Sequence, residues 1–423
     1  MDKAKVPTFI NTVTKFPHMC KSCGMCVGVC PTGALRMVLN VYNQFVPSYD
    51  ENKCIHCQRC INCCPGVDIT DFKPKSEREY EQLLIGHANN STIREAGASG
   101  GVVTALMVWM LEKGIITKAI SLSTVSSPII PHPKIFTSPE AISRGGGSRY
   151  INYPLCDSVS EFDEASAVTA LPCQSLAMRR AGLTKGYIFG LFCSKAYTRD
   201  LIKFVCKKEA LVIDEITRID YRHGEWPGSV YIETPRKVVN IPYQRSYYTA
   251  ASNGYYFVNQ GCLLCPDYFN ENADISFGDP WGLQRDDLRE GKTVIVVRTE
   301  KGRRLIEQAK DDGIIFVEDL DRSYLAKGHK NGIHFKQCML PIRLKKIQEL
   351  GLPVPRHEVK VNIQTSWFDD YIQGFYINNV INLKNNYEEI FNWSKRKIFL
   401  KRFIIHFFQT LQLKVKRSSV KSE

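Results

Sequence analysis

The sequence predicts a mixed α/β protein with a small, cysteine-rich α+β segment at its amino terminus and a basic helical tail at its end. Three observations predict it. Nine of the sixteen cysteines fall between Cys20 and Cys64, a density that suits a compact module held together by metal rather than by a large core. Two later stretches each read as strand, cysteine, then helix, the pattern of a parallel sheet. The last thirty residues, Ser394 to Glu423, carry nine Lys or Arg against one acid, so +8 of the chain's +13 belongs to them.

At 423 residues, 44% of them apolar, the chain has material for two or three domains with real cores. Its first twenty residues lack the apolar stretch of a signal peptide, and no apolar run approaches the roughly eighteen residues of a membrane span. The expected compartment is the cytoplasm. Thiols stay reduced there, so sixteen cysteines argue for metal or redox use rather than disulfides. Nucleic-acid binding would need a basic face with aromatic or helical readers, and none is legible outside the tail.

The first element, residues 12–75, holds two copies of one motif. "CKSCGMCVGVCP" supplies Cys20, Cys23, Cys26 and Cys30 before Pro31; "CIHCQRCINCCP" supplies Cys54, Cys57, Cys60 and Cys64 before Pro65. In the run C-x2-C-x2-C-x3-C-P, three thiolates face one 4Fe-4S cube and the fourth cysteine reaches the other. Cys20, Cys23, Cys26 and Cys64 are therefore assigned to one cluster, and Cys54, Cys57, Cys60 and Cys30 to the second. Cys63 is the spare, lacking both the spacing and the proline. Zinc knuckles, the competing reading, use two separated pairs and have no need of a doubled run of four. The segment resembles a bacterial-type two-cluster ferredoxin, a one-electron wire without a substrate pocket.

Residues 76–90 are polar and suit a linker with room for one short helix. A body is expected over 91–345. Its first feature, "EAGASGGVVTALMVWMLEKG", is a small-residue turn feeding a helix from about Val102 to Lys113, a place where backbone N–H groups attract anions or where the helix is merely capped. "RGGGSRY", Arg144 to Tyr150, adds a second glycine patch with two arginines. "ASAVTALPCQSLAMRRAG" predicts a strand ending at Leu171, then Cys173 and a helix from about Gln174. "GYIFGLFCSKAYTRDLIKFV" predicts a strand Tyr187–Phe192, then Cys193 and a helix from about Thr198. The two strands are expected to lie parallel in one sheet, with both cysteines at its C-terminal edge, where open α/β sheets bind ligands. Cys262 and Cys265, in "GCLLCPD", can complete a four-thiolate site with them, and "ADISFGDPWG" supplies a further strand ending in Gly278 and Asp279. An isolated redox dithiol and simple buried cysteines are the other readings of these residues. Cys156, Cys206 and Cys338 lack partners at ligand spacing and read as structural.

Six ordered stretches, "GASGGVVTALM", "GSRYI", "LPCQSLAMR", "GLFCS", "GCLLCPD" and "ADISFGD", together resemble the beta-subunit family of the coenzyme F420 hydrogenases and dehydrogenases over roughly residues 90–325. The resemblance implies an FAD-containing oxidoreductase with a mixed α/β flavin-binding domain and a cubane cluster close to the flavin. It implies a third 4Fe-4S cluster on Cys173, Cys193, Cys262 and Cys265. It also makes Ser99, Gly100 and Gly101 part of an FAD diphosphate cradle, with Gly147, Ser148 and Arg149 as helpers. The stretch "YRHGEWPGSVYIET" looks closer to bacterial members associated with polysaccharide pathways, which sets the deazaflavin coenzyme F420 itself in question.

A flavin converts hydride transfer into single electrons, the need of a chain of one-electron clusters. His223, Asp279 and Lys195 are the candidate proton donors beside it. The expected partner is a redox protein or ferredoxin; the small-molecule substrate is not legible. Two other readings stay open: an electron-transfer subunit with no small substrate of its own, and an iron-sulfur scaffold at the membrane. Residues 346–423 are expected to be a helical extension. Its tail places Phe399, Leu400, Phe403, Ile404, Phe407, Phe408 and Leu411 on one side, fitting either a terminal helix packed on the body or an interfacial helix on an anionic membrane surface.

Overall fold

In the computed structural model, which describes residues 13–72, 81–124, 127–359, 366–381 and 387–398, three sheets are present among the described residues. The amino-terminal module pairs β1 (Leu35–Leu39) with β2 (Phe45–Tyr49) antiparallel, beside two one-turn helices, Met25–Gly28 and Arg59–Asn62. The body is built on an eight-stranded sheet of β3 (Gln82–Ala88), β4 (Lys118–Ser123), β5 (His132–Phe136), β6 (Ser166–Ala170), β7 (Tyr187–Leu191), β11 (Ile275–Gly278), β12 (Thr293–Val297) and β13 (Ile315–Asp319). Their spatial order is β13-β3-β12-β11-β7-β6-β4-β5. A three-stranded antiparallel sheet, β8 (Arg218–His223), β9 (Ser229–Glu233) and β10 (Val238–Pro242), lies apart from it.

The centre of the large sheet is parallel, as the strand–helix–strand spacing requires. Ala167 pairs with Tyr187 across β6 and β7, and Ile275 with Phe189 across β7 and β11. Asp274 fixes that last pairing, because its buried carboxylate accepts the Ile188 N–H at 2.8 Å and pairs with Arg179 and Lys301. Side-chain alternation then sorts the two faces. Ala167 and Phe189 pack with the helices Val102–Glu112 and Glu300–Asp311; Val168 and Ile188 pack with the helix Pro172–Arg180 and with Met25 of the amino-terminal module.

Two expectations need correcting. The linker expected over 76–90 contains β3, which sits between β12 and β13, so the body begins before residue 91. Its apolar run "LLI" is short, and its partners lie more than two hundred residues away. The boundary expected at 345 falls inside the helix Leu340–Glu349, whose Leu344 and Ile347 join the core with Tyr255 and Tyr376. The amino-terminal module joins that same core through Met19, Leu35, Val46 and Ile69. The tail residues from Phe399 onward lie outside the described residues; just before them, Ile398 is buried and Lys395 pairs with Glu209 at 2.6 Å.

Candidate redox site

Each amino-terminal motif folds by the same local rule. Cys20 and Cys54 share φ/ψ near −80° and 125°, Ser22 and His56 both take positive φ, and Gly24 and Gln58 take positive φ ahead of a one-turn helix. The loop thereby turns N–H groups onto sulfur: Ser22 N–H donates to Cys20 Sγ at 3.3 Å and His56 N–H to Cys54 Sγ at 3.4 Å. The structure brings Cys20, Cys23, Cys26 and Cys64 into mutual electrostatic reach. Cys60 faces Cys30 and Cys57, and Cys54 hydrogen-bonds Tyr49, which also feels Cys60. The fourth cysteine of each run has thus crossed to the other set. Cys63 ends its helix where Val29 ends the equivalent one, and its thiol is buried against the Cys60 carbonyl.

A third set assembles in the body. Cys193 follows β7, while Cys173 lies in the first turn of the helix after β6, one residue before the expected start. Asn270 ties the two strand ends together, donating to Ala170 O at 2.7 Å and Leu191 O at 3.4 Å. Cys193 N–H donates to Tyr268 O at 2.9 Å, and Ala196 N–H to Cys262 Sγ at 3.4 Å. These bonds draw the loop bearing Cys262 and Cys265 over the sheet edge, so the thiols of Cys173, Cys193, Cys262 and Cys265 feel one another and Cys173 also feels Cys23. Burial pushes the Cys20 thiol up to about 11 and those of Cys64 and Cys193 up to about 12. Rings of protonated thiols have little reason to be buried together; as anions they need compensating charge from what they hold. Among the described residues no three such side chains close around a single ion, whereas a four-iron cube spreads its four thiolates over its corners.

The three sets follow one another. Cys173 neighbours Cys23, Cys63 links Cys23 to Cys60, and Cys57 at the far end is exposed. At the near end, Cys193 lines a cavity of about 290 Å³. Gly97, Ala98, Ser99 and Gly101 line the same cavity, where the helix Val102–Glu112 begins at Gly101 (φ +70°) without a side-chain cap. Gly147, Ser148 and Arg149 line it too. Arg149 donates to Ser148 O and Gly146 O, both at 3.2 Å, but among the described residues its buried Nε has no partner. That orphaned donor and the uncapped helix start together form a place for an anion. Gly100 does not belong to it. Its N–H donates to Thr293 Oγ1 at 2.8 Å, and a Cβ there would meet Gly86 O at 2.7 Å, so this glycine serves the approach of turn to sheet.

Of the candidate proton donors, Asp279 lines the cavity but is bonded to Arg222 at 2.6 Å. Burial works against Arg222's charge, yet Asp279, Tyr150 and Tyr243 hold its proton more firmly than usual. Lys195 lines the cavity, with its ammonium over the Tyr255 ring at 4.5 Å. His223 does not line it; it stands at the exposed end of β8, 4.6 Å from the Tyr231 ring. The sequence reading missed His329, a buried cavity residue between the Tyr268 and Tyr324 hydroxyls at 3.1 and 3.3 Å. Burial pulls it down to about 4, against Asp279's opposing influence.

It also missed three buried cations beside the body set. Lys21 donates to Gly261 O at 2.7 Å, Lys336 hydrogen-bonds Cys265, and Arg343 donates to Leu263 O at 2.7 Å, Phe335 O at 2.6 Å and Gln373 Oε1 at 2.8 Å. Arg343 thereby clamps both the turn between Cys262 and Cys265 and the segment that carries Lys336. Basic residues at solvated spacing gave no local sign of this.

Residues 83–160 match the family model "Coenzyme F420 hydrogenase/dehydrogenase, beta subunit N-term", residues 163–323 match the model of the same family's carboxy-terminal part, and residues 19–69 match a 4Fe-4S dicluster domain. The coenzyme F420 hydrogenase subunit beta of Methanothermobacter thermautotrophicus is 22% identical over 302 residues, covering 65% of this chain and 98% of that one. The coenzyme F420-dependent sulfite reductase of Methanocaldococcus jannaschii is 25% identical over 335 residues, covering 72% of this chain and 48% of the reductase. A chain of the xenon-derivatised F420-reducing NiFe hydrogenase complex from Methanosarcina barkeri shares the fold, with a TM-score of 0.50 at 22% identity over 67% of this chain and 98% of that chain.

Proposed function

Because the chain belongs to the coenzyme F420 hydrogenase/dehydrogenase beta-subunit family, we propose that it is an iron-sulfur flavoprotein oxidoreductase exchanging electrons between a hydride donor or acceptor and a redox protein partner. Bound FAD supplies the conversion between hydride and single electrons, and 4Fe-4S clusters carry the latter. One observation carries the reading: Cys193 belongs both to the body thiol set and to the cavity wall, so a group in the cavity stands directly against that set.

The chain's own residues divide the work. The N–H groups at the start of the helix Val102–Glu112 and the free Nε of Arg149 fit a diphosphate, and Gly147 at φ +92° leaves room beside them. Tyr150, Tyr243 and Trp281 give the cavity an aromatic wall against which Arg222 stacks, 4.5 Å from the Tyr243 ring. His329, neutral by burial, offers one imidazole nitrogen to each neighbouring tyrosine. Cys173, Cys193, Cys262 and Cys265 hold the body cluster; the two crossed sets hold the others, and the exposed Cys57 loop meets the partner.

The test is anaerobic purification with an ultraviolet-visible spectrum, an iron count and a flavin count. About twelve iron per chain and one FAD are expected, since twelve ligand cysteines serve three cubes. Cys262→Ser with Cys265→Ser should remove a third of the iron, and Arg149→Met should lower flavin without touching iron. Unchanged iron in the first variant would reject the body cluster; full flavin in the second would move the cradle elsewhere.

A further inference from the structure

Lys21 and Lys336 are 5% and 1% exposed and stand beside the four body thiols, with His18, Asp267 and Arg343 the other ionisable groups close by. Lys21 leaves the backbone between Cys20 and Cys23, yet its ammonium reaches away from its own motif to Gly261 O, one residue before Cys262. It shares with Cys173 and Cys265 the wall of a second cavity, of about 380 Å³, between the amino-terminal module and the body. Lys336, close enough to Lys21 for the two charges to feel each other, comes from a single π-helical turn, His334–Cys338, a local geometry that recurs at functional sites. Two ammonium groups thus stand beside one set of four cysteines, and among the described residues neither is ion-paired with a carboxylate.

Burying two unpaired cations is costly unless an anion of matching charge is buried with them. Four neutral thiols provide none. A four-iron core held by four thiolates is a net anion in both oxidation states, and reduction adds one electron and one negative charge without forming or breaking a bond. We propose that Lys21 and Lys336 are the fixed counter-charges of the Cys173–Cys193–Cys262–Cys265 cluster and raise its reduction potential. The inference rests on the body-cluster reading above. Both ammonium groups favour the more negative, reduced state, so the cluster nearest the cavity becomes the preferred resting place for an electron. Lys21 also stands next to Cys20, so its charge reaches the next set in line.

The test is a redox titration of the anaerobic protein followed by electron paramagnetic resonance, on the unaltered chain, Lys336→Met and Lys336→Arg. In Lys336→Met one of the three one-electron waves should move to lower potential by at least a tenfold change in its reduction equilibrium, which is 59 mV. Lys336→Arg should leave that wave near its original position. Should Lys336→Met lose the cluster while Lys336→Arg keeps it, retention itself reports the need for charge and supports the proposal. An unmoved wave in Lys336→Met with all three clusters loaded would overturn it, as would an equal shift, or equal loss, in both variants, because packing would then be the cause. An unaltered protein with about eight iron would instead defeat the body-cluster reading itself, a result the iron count separates from the others.

Discussion

Gly261→Ala places a single methyl group where the amino-terminal module and the body meet. Its Cβ would stand 2.0 Å from the Cys20 carbonyl oxygen, 2.6 Å from that carbonyl carbon and 3.0 Å from Lys21 N, all of them backbone atoms. To regain ordinary contact near 3.4 Å, the two backbones must part by about 1.4 Å. Three hydrogen bonds cross that seam: Lys21 Nζ to Gly261 O at 2.7 Å, Gln260 N to Gln44 Oε1 at 3.1 Å, and Asn259 Nδ2 to Ser22 Oγ at 2.6 Å. At about 1 kcal/mol each, with about 1 to 3 kcal/mol for overpacking, the substitution should cost about 4 to 6 kcal/mol. A chain of 423 residues melts with an entropy near 0.9 kcal/mol/K, so the melting temperature should fall by about 5 °C. The control is Gly374→Ala in the helix Trp367–Ile381, where the new methyl would meet only the end of the flexible Lys346 side chain, at 3.7 Å. That change should stabilise by about 0.5 to 1 kcal/mol. Circular dichroism melting of the anaerobic protein, with iron counted before and after, reads both. A Gly261→Ala protein that melts with the unaltered chain and keeps all its iron would refute the claim that the module is welded to the body.

Cys63→Ser should keep both amino-terminal clusters, whereas Cys64→Ser should damage the one on Cys20, Cys23 and Cys26; iron counts that rank the two variants the other way would reverse the register. His329 sets a pH window. Its folded pKa of about 4 lies below the ordinary 6.5, so the unfolded chain takes up the proton first as pH falls. Stability from this group is complete above pH 6.5 and is lost progressively down to about 4, a total of about 3 kcal/mol. Melting temperatures across that range should show a shallower slope for His329→Gln than for the unaltered chain, and parallel slopes would remove His329 from the account.

What could be read from the sequence was what local spacing dictates. The doubled C-x2-C-x2-C-x3-C-P run fixes where each loop turns, and strand, cysteine and helix within thirty residues leave β6 and β7 little choice but to lie parallel. β11 was legible because "DISFG" alternates into a short buried strand beside them. β3 was not, because "QLLIGHA" carries no partner signal: its register, Leu84 against Ile295 on one side and Asp319 on the other, is decided by residues far along the chain. Gly100 was misread for a related reason, since a glycine before a helix looks alike whether it admits a phosphate or a neighbouring strand. Lys21, Lys336 and Arg343 were invisible because "CKSC" and "KQCMLPIRLKK" carry no sign of which of their basic residues turn inward. Their burial follows from three separate segments converging, which no single stretch encodes.

The two cysteine loops share their backbone but not their surroundings, and the difference gives the relay a direction in space. Gly24 is pressed against Pro154 and Asp157, where a Cβ would lie 2.7 Å from backbone atoms; its counterpart in the second loop is Gln58, a full side chain held at φ +61° in the open. The same contrast holds one step earlier, where Ser22 is buried and bonded to Asn259 while His56 is exposed. The first loop has therefore been fitted to the body, down to a residue whose only tolerable side chain is hydrogen. The second has kept the strained turn and left its face to solvent, with Ile55 and Cys57 uppermost. On the proposed function, electrons move between the cavity and the partner by way of the fitted loop and then the free one. A partner then has to dock within reach of Cys57, because the other two thiol sets lie deeper in the molecule.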